Sequence, residues 1–461
     1  MRLWSLLAIA LTACMGDMGM DMMIPDVIDV PASAGRFDTV AAVDLDPAPT
    51  VVEVALTARV ADVELAPGHV TSMWTYDGTL PGPRIEANVG DTVKVRFTNS
   101  LPEPTTIHWH GVRVPAAMDG VEATQAPIAP GATFTYEFVV PDAGTFWFHP
   151  HVRSDVQVER GLYGTLVVRG PGEPATTSDR VVVLDDLLID DAWSVAEPDA
   201  MQAMVGRQGN LILANGRAHP IAAVIRGGLH RYRFVNAANA RYFRLALPGH
   251  RLTVIGGDGG LVPAPREVDD VLLVPGQRVD LVVTATNVAG ETLEWQSLPY
   301  DRGHGTGAKP AAIVFQQQND DATPVTTPAV PSSLATIAPL PAPRVQRELR
   351  LAESGGHSPT FSINGETFPA ITPLAARLGD VEEWSIVNTT AMDHPFHLHG
   401  FRFQLVRPTA DVAWRDTINV PAGQTVVFRT RLEDHGGRWM FHCHILEHAE
   451  RGMMGELEVA P

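Results

Sequence analysis

Gly90-Asp91-Thr92-Val93-Lys94-Val95-Arg96-Phe97-Thr98-Asn99, Gly228-Leu229-His230-Arg231-Tyr232-Arg233-Phe234-Val235-Asn236 and Gly379-Asp380-Val381-Glu382-Glu383-Trp384-Ser385-Ile386-Val387-Asn388 share one pattern. Each opens on a glycine, runs through alternating side chains and ends on Asn. Period-two alternation marks a strand with one buried face. A Pro/Gly turn and a second strand follow each copy, at Pro130-Gly131-Ala132-Thr133-Phe134, Pro275-Gly276-Gln277-Arg278-Val279 and Pro421-Ala422-Gly423-Gln424-Thr425. Repeats this widely spaced are duplicated whole domains, not a solenoid. The 40 Gly and 37 Pro punctuate short segments with little helical periodicity. The chain therefore reads as all-β, with three consecutive β-sandwich domains.

Linkers set the boundaries. Gly170-Pro171-Gly172-Glu173-Pro174 separates the first two copies, and the Pro- and Thr-rich stretch from Asp320 to Pro343 separates the second and third. The expected domains are 46–170, 176–317 and 345–461. The length of 461 residues is ample for three buried cores. A formal charge of −19 argues against nucleic-acid partners and against adsorption to anionic lipid.

At the N-terminus, Arg2 precedes the apolar run Leu3 to Leu11, too short to span a bilayer and typical of an export signal. Leu11-Thr12-Ala13-Cys14 resembles the lipobox of bacterial lipoproteins. That predicts a signal over 1–14, a lipidated Cys14 and a flexible Met-containing tether over 15–45. The protein is then exported to the bacterial envelope, periplasm or cell surface, and touches membrane only through its lipid. An ordinary cleaved signal with an incidental Cys is the alternative. The other cysteine, Cys443, has no intrachain partner once Cys14 is lipidated. It is expected to be deeply buried or bound to metal.

Ten of the 17 histidines fall into four clusters. Counting from the Asn that ends the first motif, copy one carries His108 and His110 at plus nine and plus eleven, and copy three carries His397 and His399 there. After the second motif come His149 and His151 in copy one and His442 and His444 in copy three. Copy two has Leu245 and Leu247 at the first places and Glu294-Trp295-Gln296 at the second. It reads as a spacer without metal ligands. Matched pairs from two homologous domains suit one shared metal site at their interface. His-x-His on a strand puts both imidazoles on one face. Zinc, or chance polar positions on an exposed face, would explain one such pair; four matched pairs point to a dedicated site.

Parity then separates a second site. In His442-Cys443-His444 the Cys must face away from its neighbours. The step of three from His394 to His397 turns His394 to that same side, and His448 and Met453 follow in the next loop. Two imidazoles, a thiolate and a weak thioether describe a blue-copper electron-transfer centre, and the other eight histidines suit a cluster of several coppers. Met454 is expected to pack.

The segments His108-Trp109-His110-Gly111, His149-Pro150-His151, His394-Pro395-Phe396-His397-Leu398-His399-Gly400 and His442-Cys443-His444-Ile445-Leu446-Glu447-His448 together resemble the multicopper oxidase signatures, and similarity extends over roughly residues 50 to 461. The nearest look-alikes are three-domain bacterial laccases and cuprous oxidases. The resemblance implies cupredoxin-like Greek-key domains and four copper ions. It places His108 and His397 on the type 2 copper, and His110, His149, His151, His399, His442 and His444 on the type 3 pair. His394, Cys443, His448 and Met453 would hold type 1 copper, with Cys443 carrying electrons between the sites. The implied reaction couples four one-electron oxidations of a reductant to reduction of O2 to water. Asp119, in Met118-Asp119-Gly120, matches an acid that lies near the type 2 copper in relatives and is a candidate proton relay; as a turn residue it has a plainer reading.

Two departures stand out. Many bacterial relatives have an acid directly after the second type 1 His. Here it is Ala449, with Glu450 one further on, so proton transfer is expected to rely on Asp119 or to reroute through Glu450. Cuprous oxidases carry a Met-rich insertion, whereas Tyr300 to Ala308 contains no Met. That favours a laccase-like oxidase of phenols or aromatic amines over a cuprous oxidase of envelope copper tolerance. A non-catalytic copper-binding or structural protein fits less well, because no ligand is missing. Met15, Met18, Met20, Met22 and Met23 either gather copper or reflect a tether of biased composition. Asp393, beside His394, is a candidate for tuning the site or contacting the substrate edge. A monomer is expected.

Overall fold

The computed structural model describes residues 25–461, apart from 34, 36, 287, 289, 304–305, 322 and 355–358. Cys14 and the methionines from Met15 to Met23 lie outside the described residues, as do His304 and His357. Six sheets form three sandwiches, of four and four, six and five, and six and five strands. In each, the repeated-motif strand (Thr92–Asn99, Leu229–Asn236, Val381–Asn388) lies parallel to the unit's first long strand (Val51–Ala66, Ser178–Leu187, Val345–Ser354). It lies antiparallel to the strand after the Pro/Gly turn (Thr133–Val139, Arg278–Thr284, Thr425–Arg431). A parallel pair cannot be joined by a tight hairpin, so the chain must cross to the opposite sheet between its members. That crossing makes each unit a sandwich.

The terminal Asn of the motif has the same work in all three units. Asn99, Asn236 and Asn388 are buried. Each side-chain amide donates to two loop carbonyls: Glu103 and Ile128, Arg241 and Leu273, Met392 and Val420. Each side-chain oxygen accepts the N–H two residues on, from Leu101, Ala238 and Thr390, at 2.9, 3.0 and 2.9 Å. A buried loop must satisfy its backbone groups, and one Asn satisfies three of them. The loop so fixed leads into the histidine-bearing strand of the outer units.

Alternation is visible in the burial of Thr92–Asn99 but not of Leu229–Asn236, where every residue is buried. The middle sheet is covered on both faces. Tyr232 and Phe234 enter its own core, while Arg233 turns to Asp179 (2.7 Å) and to Thr145 of the first unit (3.2 Å).

Strand pairing also revises which middle-unit residues are equivalent to the histidines. His397 pairs with His442 and Phe396 with Cys443, whereas Ala246 pairs with Gln296 and Leu245 with Ser297. The loop after Asn236 is one residue longer than that after Asn388, because Phe243 takes the place of His394 opposite Leu273 and Val420 respectively. Leu245 and Leu247 therefore face the core, and Ala246 and Gln296 stand where the outer units have His.

The expected tether, 15–45, differs from Pro25 onward. Val30 and Phe37 are buried, the Phe37 ring lies 5.1 Å from that of Phe315, and His219 Nδ1 donates to the Val30 carbonyl (3.0 Å). Val30 packs in an apolar cluster shared by the first two units and Phe37 in the core of the middle unit, instead of staying in solvent. Among the described residues no helix is long and apolar enough to cross a membrane.

Asn236→Ala would leave two carbonyls and one N–H buried without partners. It is expected to destabilise the chain by about 2–4 kcal/mol, read as an earlier urea midpoint of the tertiary signal. A wild-type midpoint would show that the loop holds without the Asn.

Candidate metal centres

Strand geometry sends alternate side chains to two places. In the first unit His108–His110 pairs antiparallel with Gly144–His149, placing His108 opposite His149. Trp109 and Phe148, the neighbouring pair in the same register, enter the first core. In the third unit His394–Leu398 pairs with Gly437–Cys443, placing His397 opposite His442, while Phe396, Leu398, Phe441 and Cys443 enter the third core. The histidine faces of the two units meet. His108 stacks on His399 with ring centroids 3.9 Å apart, and His110 on His397 at 3.8 Å. His151 and His444 close the group, with centroids 5.2 Å from His442 and 5.0 Å from His110. All eight expected cluster histidines are brought together.

Hydrogen bonds fix which nitrogen of each ring faces inward. A carbonyl oxygen only accepts, so a ring nitrogen against it must carry the proton, leaving the other with a lone pair. His108 Nδ1 donates to Asp119 O (3.0 Å), His149 Nδ1 to Pro150 O (2.9 Å), His397 Nδ1 to Asp416 O (2.9 Å) and His442 Nδ1 to Cys443 O (2.8 Å). His399 Nδ1 donates to the Asp119 carboxylate at 2.9 Å. The lone pairs of His108, His149 and His397 then sit on Nε2, and these atoms are buried with no hydrogen-bond partner among the described residues. His110 is reversed: Nε2 faces the Asp416 carboxylate (3.1 Å) and Nδ1 is the partnerless atom. Donor atoms of His108, His110 and His149, of His108, His397 and His399, and of His151, His399 and His442 lie within 4.8 Å of one another. Inward lone pairs backed by outward hydrogen bonds are the arrangement of metal-ligating imidazoles.

The second site lies on the other side of the Cys443 strand. Cys443 Sγ is 3.4 Å from His394 Nδ1 and 3.8 Å from His448 Nδ1, and the two nitrogens are 3.3 Å apart. Met453 is fully buried in the same core. It is tied to the site by its backbone, with Cys443 N–H donating to its carbonyl (3.0 Å) and its own N–H donating to His448 O (2.9 Å). Burial pushes the Cys443 thiol up to about 12, so a thiolate there calls for a cation on sulfur.

The expected acids fare differently. Asp119 is buried between His108 and His399, and one carboxylate oxygen has no hydrogen-bond partner among the described residues. Glu450 accepts from Ser154 N and Oγ, both at 2.7 Å, three residues past His151, and burial raises its carboxyl to about 6. Asp393 accepts from Tyr300 Oη (2.6 Å), Asn419 Nδ2 (2.9 Å) and Ala422 N (2.9 Å).

The middle unit, expected as a spacer, reaches both sites. Its Met204 carbonyl accepts from His448 Nε2 (3.0 Å), its Asn239 donates to Glu447 (2.8 Å) in the helix carrying His448, and its Arg278 binds Asp416. None of these was singled out from sequence. Asp416 escaped notice because it lies 28 residues past Asn388 whereas Asp119 lies 20 past Asn99, so repeat counting does not pair them. The Trp414-Arg415-Asp416-Thr417 charge pair beside a strand was the only available hint.

This chain belongs to the multicopper oxidase family. Family models described as multicopper oxidase match residues 57–173, 180–293 and 341–461. The multicopper oxidase MmcO of Mycobacterium tuberculosis is 33% identical over 93% of this chain and 92% of that protein. Among solved structures, a Campylobacter jejuni multicopper oxidase described as a metallo-oxidase superposes with a TM-score of 0.85 at 29% identity, covering 94% of this chain and 97% of that one. A laccase from Pediococcus acidilactici gives 0.83 at 27%, covering 95% and 96%. The protein is thus an oxidoreductase that takes electrons from a reducing substrate and uses O2 as acceptor, with type 1, 2 and 3 copper centres as cofactors. The donors present fit: inward imidazole lone pairs for the cluster, and a thiolate with two imidazoles for a softer single site.

Burial holds His110, His149, His151, His397, His399 and His444 well below the usual imidazole value and lowers His442 to about 4. Unfolded imidazoles protonate near 6.5, so below that pH the unfolded chain binds more protons than the folded one and stability rises with pH. The copper-free protein is expected to keep its full thermal midpoint above about pH 6.5 and to lose it steadily towards about pH 4. A midpoint flat across that window in the stripped protein would contradict neutral, buried imidazoles.

Proposed function

We propose that His394, Cys443, His448 and Met453 hold the type 1 copper, that His108 and His397 hold type 2, and that the other six cluster histidines hold the type 3 pair. The observation that carries this reading is the alternation through His442-Cys443-His444. Cys443 faces a site in the third core while its two neighbours face the cluster, so electrons need cross only the covalent chain between them. Copper, when bound, supplies the one-electron steps and the place where O2 is reduced. The chain's residues orient the imidazoles, keep the thiolate dry and deliver protons. Asp119 suits that last role, since its carboxylate meets two cluster histidines, Oδ2 at His399 Nδ1 (2.9 Å) and Oδ1 at His108 Nδ1 (3.2 Å), whereas Glu450 is held by Ser154.

For the donor we favour phenols or aromatic amines. The Met-free stretch Tyr300 to Ala308 and the likeness to a protein described as a laccase support this. A second reading, oxidation of Cu(I) in envelope copper tolerance, gains from the helix Ala200–Val205, which carries Met201 and Met204 and meets His448 Nε2 through the Met204 carbonyl, and from the likeness to a described metallo-oxidase. O2 uptake by the copper-loaded chain separates them: the first predicts turnover with a dimethoxyphenol at least matching that with Cu(I), and the reverse order supports the second. Cys443→Ser should abolish the blue colour and uptake with either donor while the cluster keeps its copper. Retained colour would sink the type 1 assignment.

Export, lipidation at Cys14 and a monomeric state complete the proposal. With residues from Pro25 docked on the body, only residues 15–24 are left to link it to a lipid. Cys14→Ala is expected to move the protein from the membrane fraction to the soluble fraction; unchanged partitioning would rule the anchor out.

A further inference from the structure

The cluster has an approximate twofold relation that the middle unit breaks. Asp119 and Asp416 are counterparts. Each accepts with its backbone carbonyl from the first His of its own unit, His108 or His397, and meets with its carboxylate the second His of the other unit, His399 or His110. Their surroundings differ. Asp119 keeps a carboxylate oxygen without a hydrogen-bond partner among the described residues. Both oxygens of Asp416 are held by Arg278, through Nη1 to Oδ1 (2.7 Å) and Nη2 to Oδ2.

Arg278 is completely buried and uses all five of its N–H donors. Besides Asp416 they reach Thr145 O in the first unit (3.1 Å) and Gly276 O and Asp258 O in its own (3.0 and 2.9 Å). One guanidinium therefore joins all three units beside the cluster. Gly111, directly after His110, lies against this pair, and a Cβ there would overlap both Arg278 and Asp416. Thr417 Oγ1 extends the network, contacting Asp416 Oδ1 (2.9 Å), His110 Nε2 (3.2 Å) and His397 Nδ1 (3.1 Å).

We propose that Arg278 is a positioning residue for the oxygen-reducing cluster: by clamping Asp416 it fixes the orientation and tautomer of His110, and through Thr417 of His397. A carboxylate bound on both oxygens by a guanidinium accepts from its other neighbours, so His110 carries its proton on Nε2 and turns Nδ1 inward. That is the reversal seen at His110 and at no other ring whose tautomer the carbonyls settle. The copper-free unit thus controls the metal-binding geometry of the other two. The inference rests on assigning the eight histidines to the copper cluster.

The test uses the full copper-loaded chain, with wild type beside Arg278→Met and Arg278→Met/Asp416→Asn. Copper per chain after challenge with a chelator, the type 2 electron paramagnetic resonance signal and the blue absorption are recorded. Loss of such outer contacts weakens metal retention by about 10- to 100-fold. Arg278→Met should show that loss at the cluster, with an altered type 2 signal and an unchanged blue band, since the Cys443 site is built in the third core. The double variant removes the unpaired buried charge; it should regain the thermal midpoint of the copper-free chain but not cluster retention, because an Asn can present its amide to His110 and no longer dictates the tautomer. Wild-type retention and type 2 signal in Arg278→Met would overturn the proposal. So would a double variant that regains both, which would reduce Arg278 to charge compensation. A wild-type chain that binds no cluster copper at all would instead overturn the function proposed above.

Discussion

Six imidazoles, His108, His110, His149, His397, His399 and His442, turn an N–H outward to a fixed acceptor and a lone pair towards one small space that His151 and His444 complete, and most of the surrounding structure follows from that. Lone pairs facing one another repel and burial disfavours charge on the rings, so the arrangement calls for satisfied outward N–H groups and a cation within. The outward partners are backbone carbonyls of Asp119, Pro150, Asp416 and Cys443 and the carboxylates of Asp119 and Asp416. Rigid acceptors of this kind leave the rings little freedom, which keeps the site ready for metal. The strands that carry the rings are held by their alternate residues, Trp109 and Phe148 on one side and Phe396 and Leu398 on the other, in two separate cores.

The same alternation creates two environments one residue apart. His442 and His444 face a polar junction between units, while Cys443 faces an apolar core with Met453. A thiolate in such a core is favoured only when a metal neutralises it, and the dry surroundings limit the solvent reorganisation that accompanies electron transfer. Nearness of the sites and difference in their dielectric surroundings both come from the pleat of a single strand.

The middle unit has no histidine at the equivalent positions, yet it fixes both sites. The Met204 carbonyl, in the helix Ala200–Val205, accepts from His448 Nε2. Arg278 and Asn239 tie the loops that carry Asp416 and Glu447. Its motif-strand sheet is covered on both faces because it packs between its own core and the first unit, and buried arginines on the outer face answer to Asp179 and Asp280.

By itself the sequence determined the all-β class, the threefold duplication, the two outer histidine-bearing units and the opposite facing of Cys443. These depend on period-two alternation and repeat spacing, which are local properties of an extended backbone. Even there, counting positions slipped by one residue in the middle unit, since a loop insertion changes which side chain meets the core without changing the motif. Only tertiary structure decided that Val30 and Phe37 dock, that Glu450 is bound to Ser154, that Asp393 is hydrogen-bonded to Tyr300 and Asn419, and that Asp416 and Arg278 stand behind His110. His110 and Asp416 are 306 residues apart, and Arg278 and Asp416 are 138 apart. Contacts across such separations arise from how whole units pack together, and no local periodicity records them.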